Sequence, residues 1–391
     1  MTKKLGEVCC IRKLQGAHHL PYVGLEDIES NTARFVGPTE PRIVKSLTFK
    51  FGARHVLYGR LRPYLNKAIV PNFTGHCSTE IFPLEPSSAL SRYYLLYWLL
   101  FDPTMQSINS TCTGARMPRA DMGAVLNFDL PLPPLPEQQR IVGILDAAFA
   151  SIATAKENVA RNLANIKELF TRAAVEDIFG DPDTQGWRTS YVENLAIPKK
   201  GAIRTGPFGS QLLHSEFVES GIAVLGIDNA VDNTFKWKQP RFITQEKYEQ
   251  LSRYTVFPGD VIITIMGTCG RCAVVPDGIP LSINTKHLCC ITLDTNKCEP
   301  SFLHAYFLYH PVAKSFLSAE AKGAIMSGLN MGIIKAMPVR YPSLPEQQRI
   351  VAQLDALSAR CKELEQVYIE KLALLDELKH SLRHQAFNGE L

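Results

Sequence analysis

The run Leu135-Pro136-Glu137-Gln138-Gln139-Arg140-Ile141-Val142 recurs residue for residue as Leu344-Pro345-Glu346-Gln347-Gln348-Arg349-Ile350-Val351, 209 positions later. Identity of that length within one chain does not arise by chance, so whatever this chain folds into is built twice. At the same offset Leu145-Asp146-Ala147 returns as Leu354-Asp355-Ala356, and Met122-Gly123 as Met331-Gly332. So do Gly114-Ala115 and Met117, as Gly323-Ala324 and Met326. Further upstream the offset drifts. Pro103 meets Pro311 at 208, Val56-Leu57 and Ala68 meet Val261-Ile262 and Ala273 at 205, and Val23-Gly24-Leu25-Glu26-Asp27 resembles Leu225-Gly226-Ile227-Asp228-Asn229 at 202. Such drift is what loop insertions leave between shared elements. The expected organisation is globular half, tail, globular half, tail, over residues 1–133, 134–186, 187–341 and 342–391.

Each tail opens on proline punctuation, Pro131 to Pro136 and Pro342 to Pro345, followed by a glutamate. Proline suits the first helical turn, and an acid suits the positive end of the helix dipole, so helices are expected from near Glu137 and near Glu346. Apolar residues then step by four and three. Ile141, Leu145, Ala148, Ile152, Ala155, Val159, Ile166, Leu169 and Ala173 form one seam; Ile350, Leu354, Leu357, Cys361, Leu364, Tyr368, Leu375, Leu378 and Leu382 form the other. A 3.5-residue repeat held this long predicts a coiled coil, with Asn162 and Lys371 as matched polar interruptions that fix register. A helix of about 40 residues spans roughly 60 Å, more than one domain, so two of them are expected to pair and hold the halves apart.

The halves read as mixed α/β. Val56-Leu57-Tyr58, Lys67 to Val70, Val261 to Ile265 and Ala273 to Val275 are β-branched runs bounded by Gly or Pro, hence strands. Helices are expected over Tyr93–Leu100 and Phe302–Tyr309, each stopped by the next proline, and a tight loop over Gly206-Pro207-Phe208-Gly209-Ser210. With 46% hydrophobic and 20% charged residues the chain is expected to pack as globular domains. No apolar run reaches the roughly 18 residues of a membrane span, and the first residues lack the apolar core of a signal peptide. Ten cysteines in that setting are expected to be reduced thiols in the cytoplasm.

Catalytic motifs are few. Gly201 to Gly206 runs into Pro207 and makes no phosphate-binding loop. Asp102-Pro103-Thr104 lacks the aromatic ending of an amino-methyltransferase motif. Cys269, Cys272, Cys289 and Cys290 are the best zinc candidates, yet the repeat partner of the first pair has no cysteine, and buried thiols are the expected reading. His18-His19 lacks a partnered ligand motif. Charge is more informative. Residues 1–133 carry 15 basic against 10 acidic side chains and 187–341 carry 16 against 12, whereas both tails are acidic. Arg60-Leu61-Arg62-Pro63-Tyr64-Leu65-Asn66-Lys67 interleaves cations with an aromatic and an amide, and Lys199-Lys200-Gly201-Ala202-Ile203-Arg204 does similar work. Cations neutralise phosphates, and Arg and Asn read base edges, so the duplicated halves suit DNA.

These features together resemble the specificity subunits of Type I DNA restriction–modification systems. The resemblance rests on the twin Pro-x-Leu-Pro-Glu-Gln-Gln-Arg-Ile-Val entries at Pro133 and Pro342, the ending Ala386-Phe387-Asn388-Gly389-Glu390-Leu391, and Pro21 to Ile28. Gly114-Ala115-Arg116-Met117-Pro118-Arg119 and Gly206 to Ser210 add to it. One departure is that the first half lacks an entry like Gly186-Trp187. The resemblance implies two α+β target-recognition domains, each reading half of a split DNA site, separated by two long antiparallel helices in a pseudo-twofold body. It implies a non-catalytic chain without cofactor of its own. S-adenosylmethionine, ATP and magnesium would belong to partners: two methyltransferase subunits and the restriction subunits. The residues expected on DNA are Arg60, Arg62, Asn66, Lys67, Arg116, Arg119, Lys199, Lys200, Arg204, Ser210, Gln211 and Lys286. Those expected to dock partners or set the spacer are Glu137, Gln138, Arg140, Asn162, Glu346, Gln347, Arg349 and Lys371. Two rival readings remain open at this point: a free-standing DNA-binding regulator, and a coiled-coil scaffold whose halves bind proteins.

Overall fold

A computed structural model of the chain describes residues 2–15, 19–114, 116–180, 186–238, 240–323 and 328–391. His18, Ala115, Ala324 and Met326, named above, lie outside them. Two compact units divide it: Met1–Arg161 with Tyr368–Leu391, and Asn162–Val367. Both dividing points fall inside long helices. Among the described residues no helix is long and apolar enough to cross a membrane.

In chain order the first unit contains strands β1 (Thr2–Lys4), β2 (Cys9–Ile11), β3 (Tyr22–Val23), β4 (Thr48–Phe51), β5 (Val56–Gly59), β6 (Ala68–Ile69), β7 (Gly75–Ser78), β8 (Ile81–Pro86) and β9 (Asp129–Pro131). Its helices are α1 (Leu5–Val8), α2 (Arg92–Leu99), α3 (Asp102–Ser110), α4 (Met122–Val125) and the beginning of α5 (Leu135–Ala173). The strands form a ribbon β1-β9, an antiparallel sheet β2-β8-β5-β6, and a sheet β3-β7-β4 in which β3 and β7 run parallel.

The second unit contains β10 (Arg188–Tyr191), β11 (Ile203–Thr205), β12 (Ile222–Leu225), β13 (Phe242–Ile243), β14 (Thr255–Val256), β15 (Val261–Thr264), β16 (Cys272–Val274), β17 (Ser282–Asn284), β18 (Leu288–Ile291) and β19 (Pro338–Tyr341). Its helices are α6 (Val192–Leu195), α7 (Gln245–Leu251), α8 (Pro300–Tyr309), α9 (Pro311–Gly323), α10 (Met331–Ala336) and the start of α11 (Leu344–Asn388). The strand orders are β10-β19, β11-β18-β15-β16 and β13-β12-β17-β14, with β12 parallel to β17. The internal repeat is thus one fold made twice, with β13 and α7 inserted in the second copy.

Local chemistry repeats with it. The Asp27 carboxylate accepts from Gly24 N at 2.7 Å, and the Asn229 amide oxygen accepts from Gly226 N at 2.9 Å. Asp121 caps α4 through Gly123 N (2.9 Å), and Asn330 caps α10 through Ile333 N (3.0 Å). Caps of this type are worth about 1 kcal/mol each. Register corrects one pairing from the sequence. Tyr58 faces Ala68 and Ile263 faces Cys272, so the counterpart of Ala68 is Cys272, not Ala273. The intervening loop is one residue shorter in the second unit. Pro103 and Pro311, expected as helix stops, also open α3 and α9, because proline fits the first turn.

The first core joins Leu57, Tyr58, Ile69 and Leu84 of the sheets to Tyr94, Leu95 and Leu99 of α2; the second joins Val261, Ile263 and Ile291 to Phe302 and Tyr306 of α8. Full burial of side chains this size stabilises by about 1.5–3 kcal/mol each.

Helices α5 and α11 begin two residues before the expected glutamates. On α5 the buried seam is Ile141, Leu145, Ile152, Val159 and Ile166, but Leu169 is 61% exposed. Phe170 turns inward in its place, 5.1 Å from Tyr309. On α11 Ile350 and Leu354 are buried, whereas Leu364 (44%) and Leu378 (47%) are exposed. A strict 3.5-residue seam drifts about 20° per heptad against a straight helix, so a stripe drawn over five heptads leaves the buried face. Within the first unit the two helices pair antiparallel. Arg140 Nη2 donates to Leu391 O at 2.6 Å, Lys379 and Arg383 lie 5.2 and 5.4 Å from the Phe149 ring centre, and Lys156 pairs with Asp376.

Candidate nucleic-acid interface

In the first unit, two loops distant in sequence close on each other. Arg62 N donates to Pro118 O at 2.7 Å, Ala120 N to Arg60 O at 2.9 Å, and Leu61 bridges Arg119. Arg60, Arg62, Arg116 and Arg119, singled out separately in the sequence, are therefore one set. Arg62 and Arg116 are exposed, as are the flanking Tyr64 and Met117. Arg62 sits at φ 50, a left-handed conformation that costs a non-glycine residue roughly 1 kcal/mol or more. Arg60 and Arg119 converge on Glu80. Arg119 donates through Nε (2.9 Å) and Nη2 (2.8 Å), and Arg60 through Nε (3.1 Å). Partial burial alone would raise the Glu80 carboxyl, but the hydrogen bond from Arg119 and the charges of both arginines outweigh it and hold it below the usual carboxylate range. Lys67 is drawn inward by Leu25 O at 2.7 Å.

In the second unit, Lys199 and Lys200 are exposed on the rim of a cavity of about 430 Å³ with Arg253, Tyr254 and Phe257. Ser210 and Gln211 are exposed on the loop after β11, and the Gln211 amide oxygen accepts from the Tyr254 hydroxyl at 2.9 Å. The base of that loop, Gly206, donates to Thr285 O at 3.3 Å, beside exposed Lys286. Only glycine fits there, since a Cβ would stand 2.1 Å from Asn284 O. Arg241, paired with Asp228, and His287 were not anticipated. Burial, with Lys286 and Arg241 close by, holds the His287 imidazole below its ordinary value.

Four expected contact residues are otherwise employed. Arg204 is 7% exposed; it donates to Thr255 O (2.9 Å), Thr292 Oγ1 (2.9 Å) and Asp260 Oδ2 (2.6 Å), and so braces the sheet from inside. Asn66 is fully buried in a left-handed turn and donates to Leu100 O at 3.3 Å. Gln138 is fully buried, accepting from Ser91 N (2.8 Å) and donating to Ala89 O and Pro133 O (2.9 Å each). Gln347 does the same with Glu299 N (2.9 Å), Lys297 O (3.0 Å) and Pro342 O (2.9 Å). The recurrence of this position in the two eight-residue runs is explained here: the first glutamine of each pair ties its helix start to its own domain. Glu137 and Arg140, and likewise Glu346 and Arg349, form matched surface pairs at 2.6 and 2.5 Å. Lys371 is exposed on α11, and Asn162 is half-buried on α5.

Cys272, Cys289 and Cys290 are buried and Cys269 half-buried; burial pushes the Cys289 thiol up to about 12, so it stays protonated. Among the described residues no three His, Cys, Asp or Glu side chains gather as a metal site.

Glu80 escaped the sequence because it lies 20 and 39 residues from its arginines. The signal that finds it is the register in which Gly59 faces Ile81 and Thr264 faces Leu288, which sets Glu80 opposite His287 in the repeat.

The chain is thus a duplicated α+β body with a different set of charged loops in each copy. The chain belongs to the family of the Type I restriction modification DNA specificity domain, whose model matches residues 54–161 and 219–374. The Type I restriction enzyme EcoBI specificity subunit of Escherichia coli is 24% identical over 311 residues, 73% of this chain. The match spans 63% of that subunit's own length, under two thirds. The HsdS subunit from Thermoanaerobacter tengcongensis shares the fold at TM-score 0.67 and 20% identity, covering 100% of this chain and 97% of that one. A chain solved in work on complex assembly and conformational transition of the type I R-M system reaches TM-score 0.77 at 21% identity, covering 100% and 98%.

Proposed function

We propose that this chain is the non-catalytic DNA sequence-recognition subunit of a Type I restriction–modification complex. Residues 1–133 and 187–341 each read one half of a bipartite double-stranded target, and residues 134–186 and 342–391 set the spacer. The observation that carries this reading is that one topology is used twice while the chemistry at equivalent loop positions differs. Arg60 and Glu80 stand where the second unit has Ile265 and His287, each pair joined by the same backbone bond, at 2.9 and 2.8 Å. Two unlike half-sites require that combination; a symmetric regulator does not.

Two methyltransferase subunits are the proposed partners of the helices, with restriction subunits joining the assembly in the cytoplasm. In support, α11 leaves apolar side chains open within each unit: Leu374 and Leu378, 62 and 47% exposed, in the first, and Leu364 and Val367, 44 and 56% exposed, in the second. S-adenosylmethionine, ATP and magnesium belong, on this reading, to those partners.

The test is genome-wide mapping of methylated bases with and without the gene. Loss of a single split, asymmetric motif is expected. An unchanged methylation pattern, in cells that express the accompanying methyltransferase, overturns the assignment. DNA affinity that ignores salt would instead favour a protein-binding scaffold, because phosphate contacts give a steep salt dependence.

A further inference from the structure

We propose that Glu80 is a positioning residue that aims Arg60 and Arg119 at the half-site read by the first unit. The inference rests on the DNA-recognition reading and deepens it.

An acid in the middle of a basic patch is a poor choice for gripping phosphates, since it repels the same polyanion the arginines attract. It is a good choice for fixing guanidinium planes. Arg has a rigid fork of five donors, and holding one edge leaves the opposite edge aimed. Glu80 takes Nε of Arg60 at 3.1 Å, so the Nη edge of that side chain is left for a bidentate acceptor. The Phe82 ring, 5.0 Å from the Arg60 guanidinium carbon, supports the plane from one side. Arg119 is held at Nε and Nη2 by the same carboxylate, and its Nη1 rests on Met117 O at 3.4 Å.

The backbones beneath are fixed as well. Arg60 N donates to Glu80 O at 2.9 Å, and Arg119 exchanges two bonds with Thr113 at 3.1 Å. All three side chains are partly exposed, at 31, 37 and 21%, and so stand at the edge of solvent, where a ligand can arrive. Next to them is Arg62, exposed and held in its left-handed conformation. A bidentate arginine paired to guanine O6 and N7 is the contact such a fork serves best, and phosphate contacts fall to the freer Arg62 and Arg116. The second unit has Ile265 at the place of Arg60 and His287 at that of Glu80, so the device belongs to the first unit alone.

The experiment is selection from a pool of random duplexes by the full chain, alone and with co-produced methyltransferase subunits, for wild type, Glu80→Gln and Glu80→Asp, with thermal melting alongside. Glu80→Gln releases two cations. Its binding to non-target duplex at low salt should rise, with a slope of log affinity against log salt steeper by about one. Preference at one position of the first half-site should fall about tenfold, while the second half-site stays unchanged. Glu80→Asp keeps the charge but is too short to reach both arginines, so it should lose preference without gaining non-target affinity. Full wild-type preference in both variants overturns the inference. So does loss at both half-sites together with a lower melting temperature, which would mark Glu80 as a structural residue only. A wild type that shows neither sequence preference nor salt dependence overturns the DNA reading itself, a result distinct from either.

Discussion

Arg12 and Arg204 stand at the same point of the two copies, one residue past Ile11 and on β11 respectively, in strands of matching register. In the first unit Arg12 is half exposed and shares Glu85 with Arg54. In the second, Arg204 is sealed inside against Asp260, which is itself 1% exposed. Asp260 also accepts from Phe257 N at 2.8 Å, where the first unit uses His55 Nδ1 to accept from Gly52 N at 3.0 Å. One fold thus tolerates a surface cation or an internal ion pair at the same site. The internal solution requires a complete set of partners, because a buried charge is stable only when fully paired. The loops show the same freedom, with Glu80 between two arginines in one copy and His287 beside Lys286 and Arg241 in the other.

The harshest way to break this comparison is to exchange residues 187–341 for another domain of the family. Methylation mapping should then show one half-site replaced and the other untouched; a change in both would end the idea of independent readers.

Asp260→Ala comes next. It leaves Arg204 buried without its counter-charge, and the second unit should lose about 3–5 kcal/mol. His55→Ala at the equivalent place should cost about 1 kcal/mol, the net value of one hydrogen bond. Similar losses in the two variants, measured by denaturant unfolding, would show that the internal pair is not special.

A smaller effect follows pH. Burial, with the Arg340 charge adding, pushes His310 down to about 4 from its ordinary 6.5, so the fold favours the neutral imidazole. The second unit should therefore hold its full stability above about pH 6.5 and lose up to about 3 kcal/mol as pH falls toward 4. The counterpart in the first unit is Asp102, paired with exposed His380. His310→Phe, which keeps the stack on Tyr306, should flatten that acid slope; an unchanged slope assigns it elsewhere.

The smallest expected effect is a difference near zero. Gln138→Ala and Gln347→Ala each remove three hydrogen bonds between a buried amide and buried or partly buried backbone groups, and each should cost about 2–3 kcal/mol. A gap above about 1 kcal/mol between them would show that the two helix entries are not energetically equivalent.

Much of this was legible in the residues. The 209-residue offset announced the duplication, proline and glutamate marked where α5 and α11 begin, and β-branched runs marked β5 and β15. The arginines of residues 60–62 and 116–119 were visible as cations, though not as one set, because their meeting depends on backbone bonds across more than 50 residues. Gln138 and Gln347, expected to dock partners or set the spacer, instead clamp their own domains, and the sequence conceals this for a definite reason. A residue kept identical in both copies marks either a shared partner or a shared internal clamp, and only the positions of Ser91 N and Glu299 N distinguish them.

By itself, then, the sequence determined that a fold is made twice, that each copy ends in a long helix, and that the loops carry the positive charge. Those properties are local or periodic and survive being read along a line. The tertiary structure alone decided which cations face outward. Arg62 and Arg204 look alike in sequence, and what separates them is the register of strands and the placement of Asp260 and Pro118, set by packing between residues far apart in the chain.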